Sequence, residues 1–392
     1  MLLHQKADQV LPLLRETGLE GWLIFARETD LHPDPGMALV VGAEVVRNSA
    51  FLFGAGGQRI AIVAHFDVAN VRATGVFGEV LGYDEDIRDT LLAALRRIGP
   101  GKIGLNYSID DVTADGLTHG HWLLLNDLLR DTPYVDMLTS AAPLLARLRG
   151  RKSPVEVERI RRAVRTTEAI VERVTPLIRP GLSERQIADF FHQEFHRCSV
   201  SPAWVLDSCP IVNCGPESEP GHVNPRDDLH AEPGRLVHID LGVKQDGFCS
   251  DLQRMWYLRK PGESAPPESV RRAFAVVVKA IEAGAAALRP GARGCEVDAC
   301  ARQVIVEAGY PEFKHGLGHG LGRAVHDGGT HLGPRWPCYG KTTERIVEAG
   351  NVFTLELGVM TEAGFVGLEE DVLVTENGCE FLSSFPHGPN LI

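Results

Sequence analysis

The sequence predicts an α+β protein in two parts, a smaller α/β domain over residues 1–150 and a larger domain over 151–392 assembled from two similar α+β halves. Three observations carry this. At 392 residues the chain exceeds what one hydrophobic core organises. Its pattern changes at Gly150-Arg-Lys-Ser-Pro154, where short apolar strands give way to long 3.6-residue periodicity. Beyond that point it repeats: Ile178-Arg-Pro-Gly181 closes one helical stretch, and Leu288-Arg-Pro-Gly291 closes another 110 residues later.

The first domain opens on an amphipathic helix from Leu2 to Arg15, and strands follow at Gly21-Trp-Leu-Ile-Phe25, Arg59-Ile-Ala-Ile-Val-Ala64 and Lys102-Ile-Gly-Leu105. It carries no glycine-rich phosphate loop and no compact group of catalytic residue types, which marks it as a scaffold. The second domain begins with a helix from about Ser153 to Ile178, signalled by Ser153-Pro154 with Glu156 and Glu158 behind them. Ser183-Glu-Arg-Gln186 has the form of a capping box and starts another helix. In the second half a helix runs from about Pro267, and a further helical stretch reaches Ala308. Strand segments repeat too. Ile239-Asp-Leu-Gly-Val243, with Gly247-Phe248 and Asp251 after it, parallels Leu355-Glu-Leu-Gly-Val359, with Gly364-Phe365 and Glu369 after it. The duplication predicts two halves related by pseudo-symmetry, their acidic hairpins facing one another.

Composition narrows the function classes. The chain is 44% hydrophobic, 7% aromatic and 23% charged, as an ordinary globular enzyme is. No tract approaches the roughly 18 apolar residues a membrane span needs, and the amino terminus acquires charge too early for a signal peptide. A cytoplasmic protein with no membrane partner is expected. The formal charge of −12 comes with no concentrated basic run, so no nucleic-acid partner is expected. All eight cysteines lie beyond residue 197 without CxxC spacing, and are expected to be thiols rather than disulfides or zinc ligands.

Each acidic hairpin sets two carboxylates in otherwise apolar strand sequence, Asp240 and Asp251 in the first, Glu356 and Glu369 in the second. A buried strand carboxylate must be paired, protonated or metal-bound, and four at equivalent positions call for the compact counter-charge of divalent cations. Between the hairpins, His315-Gly-Leu-Gly-His319-Gly-Leu-Gly-Arg-Ala-Val-His326-Asp327 places three imidazoles in a stretch whose glycines permit close backbone approach. His315 and His319 imitate an HxxxH zinc pair, but the glycines oppose the helix such a pair requires. His222, in Gly221-His-Val-Asn-Pro225, is a weak signal by itself.

Together, Ile239-Asp-Leu-Gly, Ser250-Asp-Leu, the His315–His319 run, Val325-His326-Asp327, Thr354-Leu-Glu356-Leu-Gly and Leu368-Glu369-Glu-Asp-Val-Leu-Val-Thr375 resemble the pita-bread metallopeptidases. Arg151-Lys-Ser-Pro-Val-Glu, following a domain of this size, resembles the branch containing Xaa-Pro dipeptidase (prolidase) and aminopeptidase P, with a creatinase-like N-terminal domain. The resemblance implies five metal ligands (Asp240, Asp251, His319, Glu356 and Glu369), with His222 and His326 binding substrate and stabilising the reacting carbonyl, and His315 beside them. The choice of Glu369 over Glu370 rests on that resemblance alone. Two divalent ions per chain are implied, manganese, cobalt or zinc, as is a homodimer in which His32-Pro-Asp34 contacts the partner's site. Gln253, Asp327 and Gly367 depart from common family patterns, where threonine, glutamate and arginine are usual.

The implied activity is dinuclear hydrolysis of Xaa-Pro dipeptides, with Glu356 moving the proton. Arg335 is the candidate anchor for the proline carboxylate in place of the arginine missing at Gly367. Aminopeptidase P-like cleavage of longer peptides is the alternative, and a non-catalytic peptide-binding module a more distant one. The metal-free creatinase chemistry of the same fold is disfavoured by the complete ligand set.

Overall fold

The opening amphipathic stretch is a helix, α1 (Leu2–Thr17), which turns Val10, Leu13 and Leu14 inward. A computed structural model describes residues 2–392. The chain divides into two compact units, the first ending at Arg149 and the second running Gly150–Ile392.

In the first unit α1 is followed by β1 (Gly21–Ala26), β2 (Ser49–Gly54), β3 (Arg59–Ala64), α2 (Val68–Ala73), β4 (Glu79–Tyr83), α3 (Arg88–Ile98), β5 (Ile103–Leu105), α4 (His119–Leu128), β6 (Leu138–Ser140) and α5 (Ala142–Gly150). The strands form one sheet in the order β4-β3-β2-β1-β5-β6. β2 runs antiparallel to both neighbours and the other pairings are parallel. β1 is apolar at nearly every position because both its faces are covered. Trp22 and Ile24 join the core beneath α1 and α5, while Leu23 and Phe25 join the one beneath α3 and α4.

The second unit comprises α6 (Pro154–Val174), α7 (Glu184–Cys198), β7 (Ser201–Pro202), β8 (Ile211–Cys214), β9 (Leu236–Leu241), β10 (Val243–Gln245), β11 (Phe248–Cys249), β12 (Leu252–Tyr257), α8 (Glu268–Ala287), α9 (Gly294–Glu307), β13 (Val352–Thr361), β14 (Gly364–Val374), β15 (Cys379–Phe381) and β16 (Asn390–Leu391). Both expected helix starts carry complete capping boxes, Ser153 with Glu156 and Ser183 with Gln186. The α-helix expected to reach Ile178 stops at Val174 and tightens into a 3₁₀ turn at Thr175–Leu177, where Pro176 has no N–H to continue the ladder.

The strands order as β13-β14-β12-β9-β8, with β15 on β14 and β16 on β12. This corrects the expected arrangement of the hairpins. They do not face one another but lie side by side, β12 against β14, joined at Gln253 and Glu369. Each hairpin packs an apolar face on its own helix pair. Val237 and Ile239 meet Ile170, Ile187 and Phe191, whereas Leu355 and Leu357 meet Val277, Ile281 and Ile305. The opposite face is free to carry polar groups. Among the described residues no helix is long and apolar enough to cross a membrane.

The Ser183–Gln186 box satisfies two helix-end N–H groups, at 3.2 and 3.0 Å. Ser183→Ala should therefore cost about 1 kcal/mol, a fall of roughly 2–4 °C in Tm by calorimetry, with activity retained. An unchanged Tm would show that the cap contributes nothing.

Candidate metal centre

Strand register builds the site. Glu356 on β13 lies opposite Glu369 on β14, Glu369 opposite Gln253 on β12, and Gln253 opposite Asp240 on β9. Directly opposed residues project to the same face, so these four side chains form one row across the sheet. Asp251 precedes Gln253 by two residues and joins that face by the period of the strand. Glu370 points the other way, where Arg254 holds it with two hydrogen bonds of 2.9 and 3.1 Å. One face thus answers its buried carboxylate with a guanidinium; on the other, the ion pairs among the described residues set only an imidazole against the acids.

His319 completes the row from outside the sheet. Its Nε2 lies 3.7 Å from Oδ2 of Asp251, 3.7 Å from Oε1 of Glu356 and 4.0 Å from Oε1 of Glu369. The segment carrying it is laid along β13: the N–H of His319 donates to Oγ1 of Thr354, and the N–H groups of Thr354 and Glu356 donate to the carbonyls of His319 and Leu317. Only glycine allows this approach at 318, since a Cβ there would fall 1.9 Å from the Thr354 carbonyl oxygen. Asp298 and Arg302, one turn apart on α9, grip the same segment from behind through Leu317 N–H and the carbonyls of Phe313 and His315. Sequence reasoning missed this pair, although an Asp and Arg at i, i+4 was its signal.

The electrostatics follow from the crowding. Burial raises Asp240, and Glu356 raises it further, to about 8, while a hydrogen bond from Asp251 works the other way. Burial raises Glu356 to about 7, opposed by the hydrogen bond from Gln253. Asp251 and Glu369 are held well above the usual carboxylate range by burial and then by their acidic neighbours, and burial holds the His319 imidazole well below its ordinary value. Oδ1 of Asp240, Oδ1 of Asp251 and Oε1 of Glu369 are buried without hydrogen-bond partners. Ligand atoms of Asp251, His319 and Glu369 lie within 4.8 Å of one another. Unpartnered carboxylate oxygens converging with an imidazole fit a divalent cation, which would satisfy them and neutralise the cluster.

His326 and His222 lie at the exposed side of this cluster. The His319 and His326 rings approach to 4.3 Å between centroids and the His326 and His222 rings to 6.5 Å. His315 turns its Nδ1 onto the Gly316 carbonyl, and burial lowers its pKa. Asp327 is buried against Lys152 at 2.7 Å, and its N–H donates to the Gly320 carbonyl, pinning the turn that carries His326. Two groups near the site had escaped sequence reasoning. Asp371, two residues beyond Glu369 on the same face, accepts the Asp251 N–H at 3.1 Å; His331 stacks on Tyr339 at 4.3 Å. Arg335 lies on the loop that follows the histidine run. Its side chain is 59% exposed, and its Nε donates to Glu344 at 3.2 Å.

Residues 158–376 match metallopeptidase family M24. The chain belongs to this family. An uncharacterized peptidase of Staphylococcus saprophyticus is 30% identical over 339 residues, 86% of this chain and 88% of the relative. An Xaa-Pro dipeptidase from Bacillus anthracis superposes with a TM-score of 0.75 at 23% identity over 100% of both chains. An X-Pro aminopeptidase from Thermotoga maritima does so with a TM-score of 0.72 at 23% identity, over 98% of this chain and 99% of its own. These likenesses establish the pita-bread fold, and M24 membership makes the chain a peptidase that works with divalent metal.

In an M24 centre stripped of metal, the raised carboxyls bind protons that the unfolded chain has already released above its ordinary values near 4. The native state then holds more protons, and stability falls as pH rises toward the native values. The lowered histidines act oppositely below about pH 6.5, so the window is about pH 6.5–8. Metal-stripped protein should lose Tm across that window and recover it on adding metal; a Tm that rises with pH there would contradict the geometry. Asp251→Ala and Glu369→Ala should each lose tightly bound metal, measured by elemental analysis after gel filtration.

Proposed function

We propose that this M24 peptidase hydrolyses Xaa-Pro dipeptides at a dinuclear centre held by Asp240, Asp251, His319, Glu356 and Glu369. The observation that carries the reading is the row of buried, unpartnered carboxylate oxygens under His319, with His222 and His326 at its exposed side. Four carboxylates carry the charge that two divalent cations balance. Both solved structures named above are described as Xaa-Pro enzymes, which supports the same bond.

When bound, the divalent ions supply Lewis acidity and a water acidic enough to be hydroxide near neutral pH. Everything else falls to side chains. Glu356 accepts a proton from the attacking water as its oxygen bonds to the scissile carbonyl carbon. It returns that proton to the proline nitrogen as the C–N bond breaks, a necessary step because the leaving group is otherwise a poor amide anion. His326 and His222 each donate an N–H toward the carbonyl oxygen, whose negative charge appears only in the transition state. Burial, and then His222, lower the pKa of His326, so it is a neutral donor at pH 7. Asp327 and Lys152 fix the turn from which His326 reaches.

Chelation should abolish activity, and manganese, cobalt or zinc should restore it. His326→Ala should keep its metal while kcat falls by roughly 10²–10³-fold, the usual effect of deleting one oxyanion donor. Loss of metal in that variant, by elemental analysis, would reassign His326 as a ligand. Incubation with Ala-Pro, Ala-Pro-Ala, Met-Ala-Ser and creatine, with products identified by mass spectrometry, tests the substrate class. Ala-Pro should be cleaved fastest. Faster release of alanine from Ala-Pro-Ala would make the chain an aminopeptidase, and cleavage of neither proline peptide would overturn the Xaa-Pro reading. With Arg335 exposed and engaged by Glu344, Arg335→Ala should change kcat/KM for Ala-Pro by less than about 3-fold, the scale of a surface ion pair.

A further inference from the structure

Gln253 occupies the middle of the carboxylate row, between Glu369 and Asp240, and is 6% exposed. Its single Nε2 group makes two hydrogen bonds, donating to Oε2 of Glu356 at 3.2 Å and to Oε2 of Glu369 at 3.1 Å. The opposite oxygen of each glutamate, Oε1, is the one turned toward His319, at 3.7 and 4.0 Å. The two hydrogens of one amide therefore sort the four glutamate oxygens into a bracketed pair and a pair facing the imidazole.

The metal-binding state favours this orientation of the amide. Its Oε1 lies 3.0 Å from Nε2 of His238, which donates to it in the Nε2–H tautomer, and turning the amide over would set its oxygen against two ionised carboxylates. The seat for this arrangement exists because residue 367 is glycine. A Cβ there would come within 2.9 Å of both Gln253 Oε1 and His238 Nε2, and within 2.4 Å of Phe365 Cε1. Phe365 in turn packs edge-on to the His238 ring at 4.9 Å. Gln253, His238 and Gly367 form one unit, and the two departures at 253 and 367 have a common physical cause.

We propose that Gln253 is a positioning residue for the metal centre: its carboxamide, seated over Gly367 and steadied by His238, brackets Glu356 and Glu369 so that each presents one defined oxygen to the metal. The inference rests on the ligand assignment proposed above. A neutral amide suits the task, because it orders two carboxylates without neutralising the charge that the metal needs, whereas a cation at this point would compete with the metal. Hydrogen-bond partners of metal ligands typically govern affinity by about 10–100-fold.

The test is calorimetric titration of Mn²⁺ into metal-stripped, full-length protein. Gln253→Met, which keeps the volume and deletes both donors, should bind Mn²⁺ about 10–100-fold more weakly while circular dichroism stays as in wild type. At saturating Mn²⁺, KM for Ala-Pro should be unchanged, because the residue does not touch substrate. His238→Phe should weaken Mn²⁺ binding less than Gln253→Met. Because His238 acts through the amide, the double variant should be no weaker than Gln253→Met alone. Should Gln253→Met fail to fold, Gln253→Asn carries the same expectation, since it draws the amide back by one methylene. Wild-type Mn²⁺ affinity in either folded variant, or full additivity with His238→Phe, overturns the proposal. Glu369→Ala separates this from the reading beneath it. If Glu369→Ala loses Mn²⁺ while Gln253→Met does not, the bracket fails and the ligand set stands; if Glu369→Ala binds normally, the ligand set itself fails.

Discussion

Acidic side chains packed in register across a buried sheet repel one another, and that repulsion organises the second unit. Neighbours in such a row are about 5 Å apart, which at an effective dielectric of 20 amounts to about 3 kcal/mol per ionised pair. No hydrophobic packing on the far face removes this. The sheet can hold its carboxylates only if they keep protons or gain cations, and the raised pKa values of Asp240, Asp251, Glu356 and Glu369 express the first alternative. A bound divalent ion expresses the second.

The contrast between the two faces of β14 makes the point. Glu370 is one residue from Glu369 and as deeply buried, yet Arg254 and Ser383 satisfy it, so it is a structural ion pair in an apolar layer. Glu369 meets an amide, an imidazole and other acids. Chemistry on one face and cohesion on the other come from the alternation of a single strand, and a slip of one residue in register would exchange them.

Much of this was legible in the sequence because the signals were local. Capping boxes at Ser153 and Ser183, the repeated Arg-Pro-Gly stops and the glycines around His319 all declare themselves within a few residues. The alternation Glu369-Glu370-Asp371 showed that two adjacent acids must part company, but not which would find Arg254. That depends on register between β12 and β14, which joins positions 116 residues apart. The same limit hid Gln253. In the sequence it is a departure from a common pattern, and only the pairing of three strands shows that its amide reaches two glutamates. The hairpins were misplaced, as facing rather than adjacent, because a duplication specifies two similar halves without specifying which edges meet.

The route by which His319 reaches the row has a kinetic consequence. The carboxylates belong to strands locked into a ladder, whereas the imidazole arrives on an irregular segment bonded to Val352, Thr354 and Glu356 on one side and to Leu332 on the other, with Asp298 and Arg302 gripping it from behind. Local openings follow the weakest such tethers, and they precede any rupture of the sheet. An ion held there has a door on one side: a brief lifting of the histidine segment frees one donor while the strand donors stay in place. Exchange of one metal for another would then proceed in the folded protein, at a rate set by that segment rather than by global unfolding, and the occupant would track the ions around it.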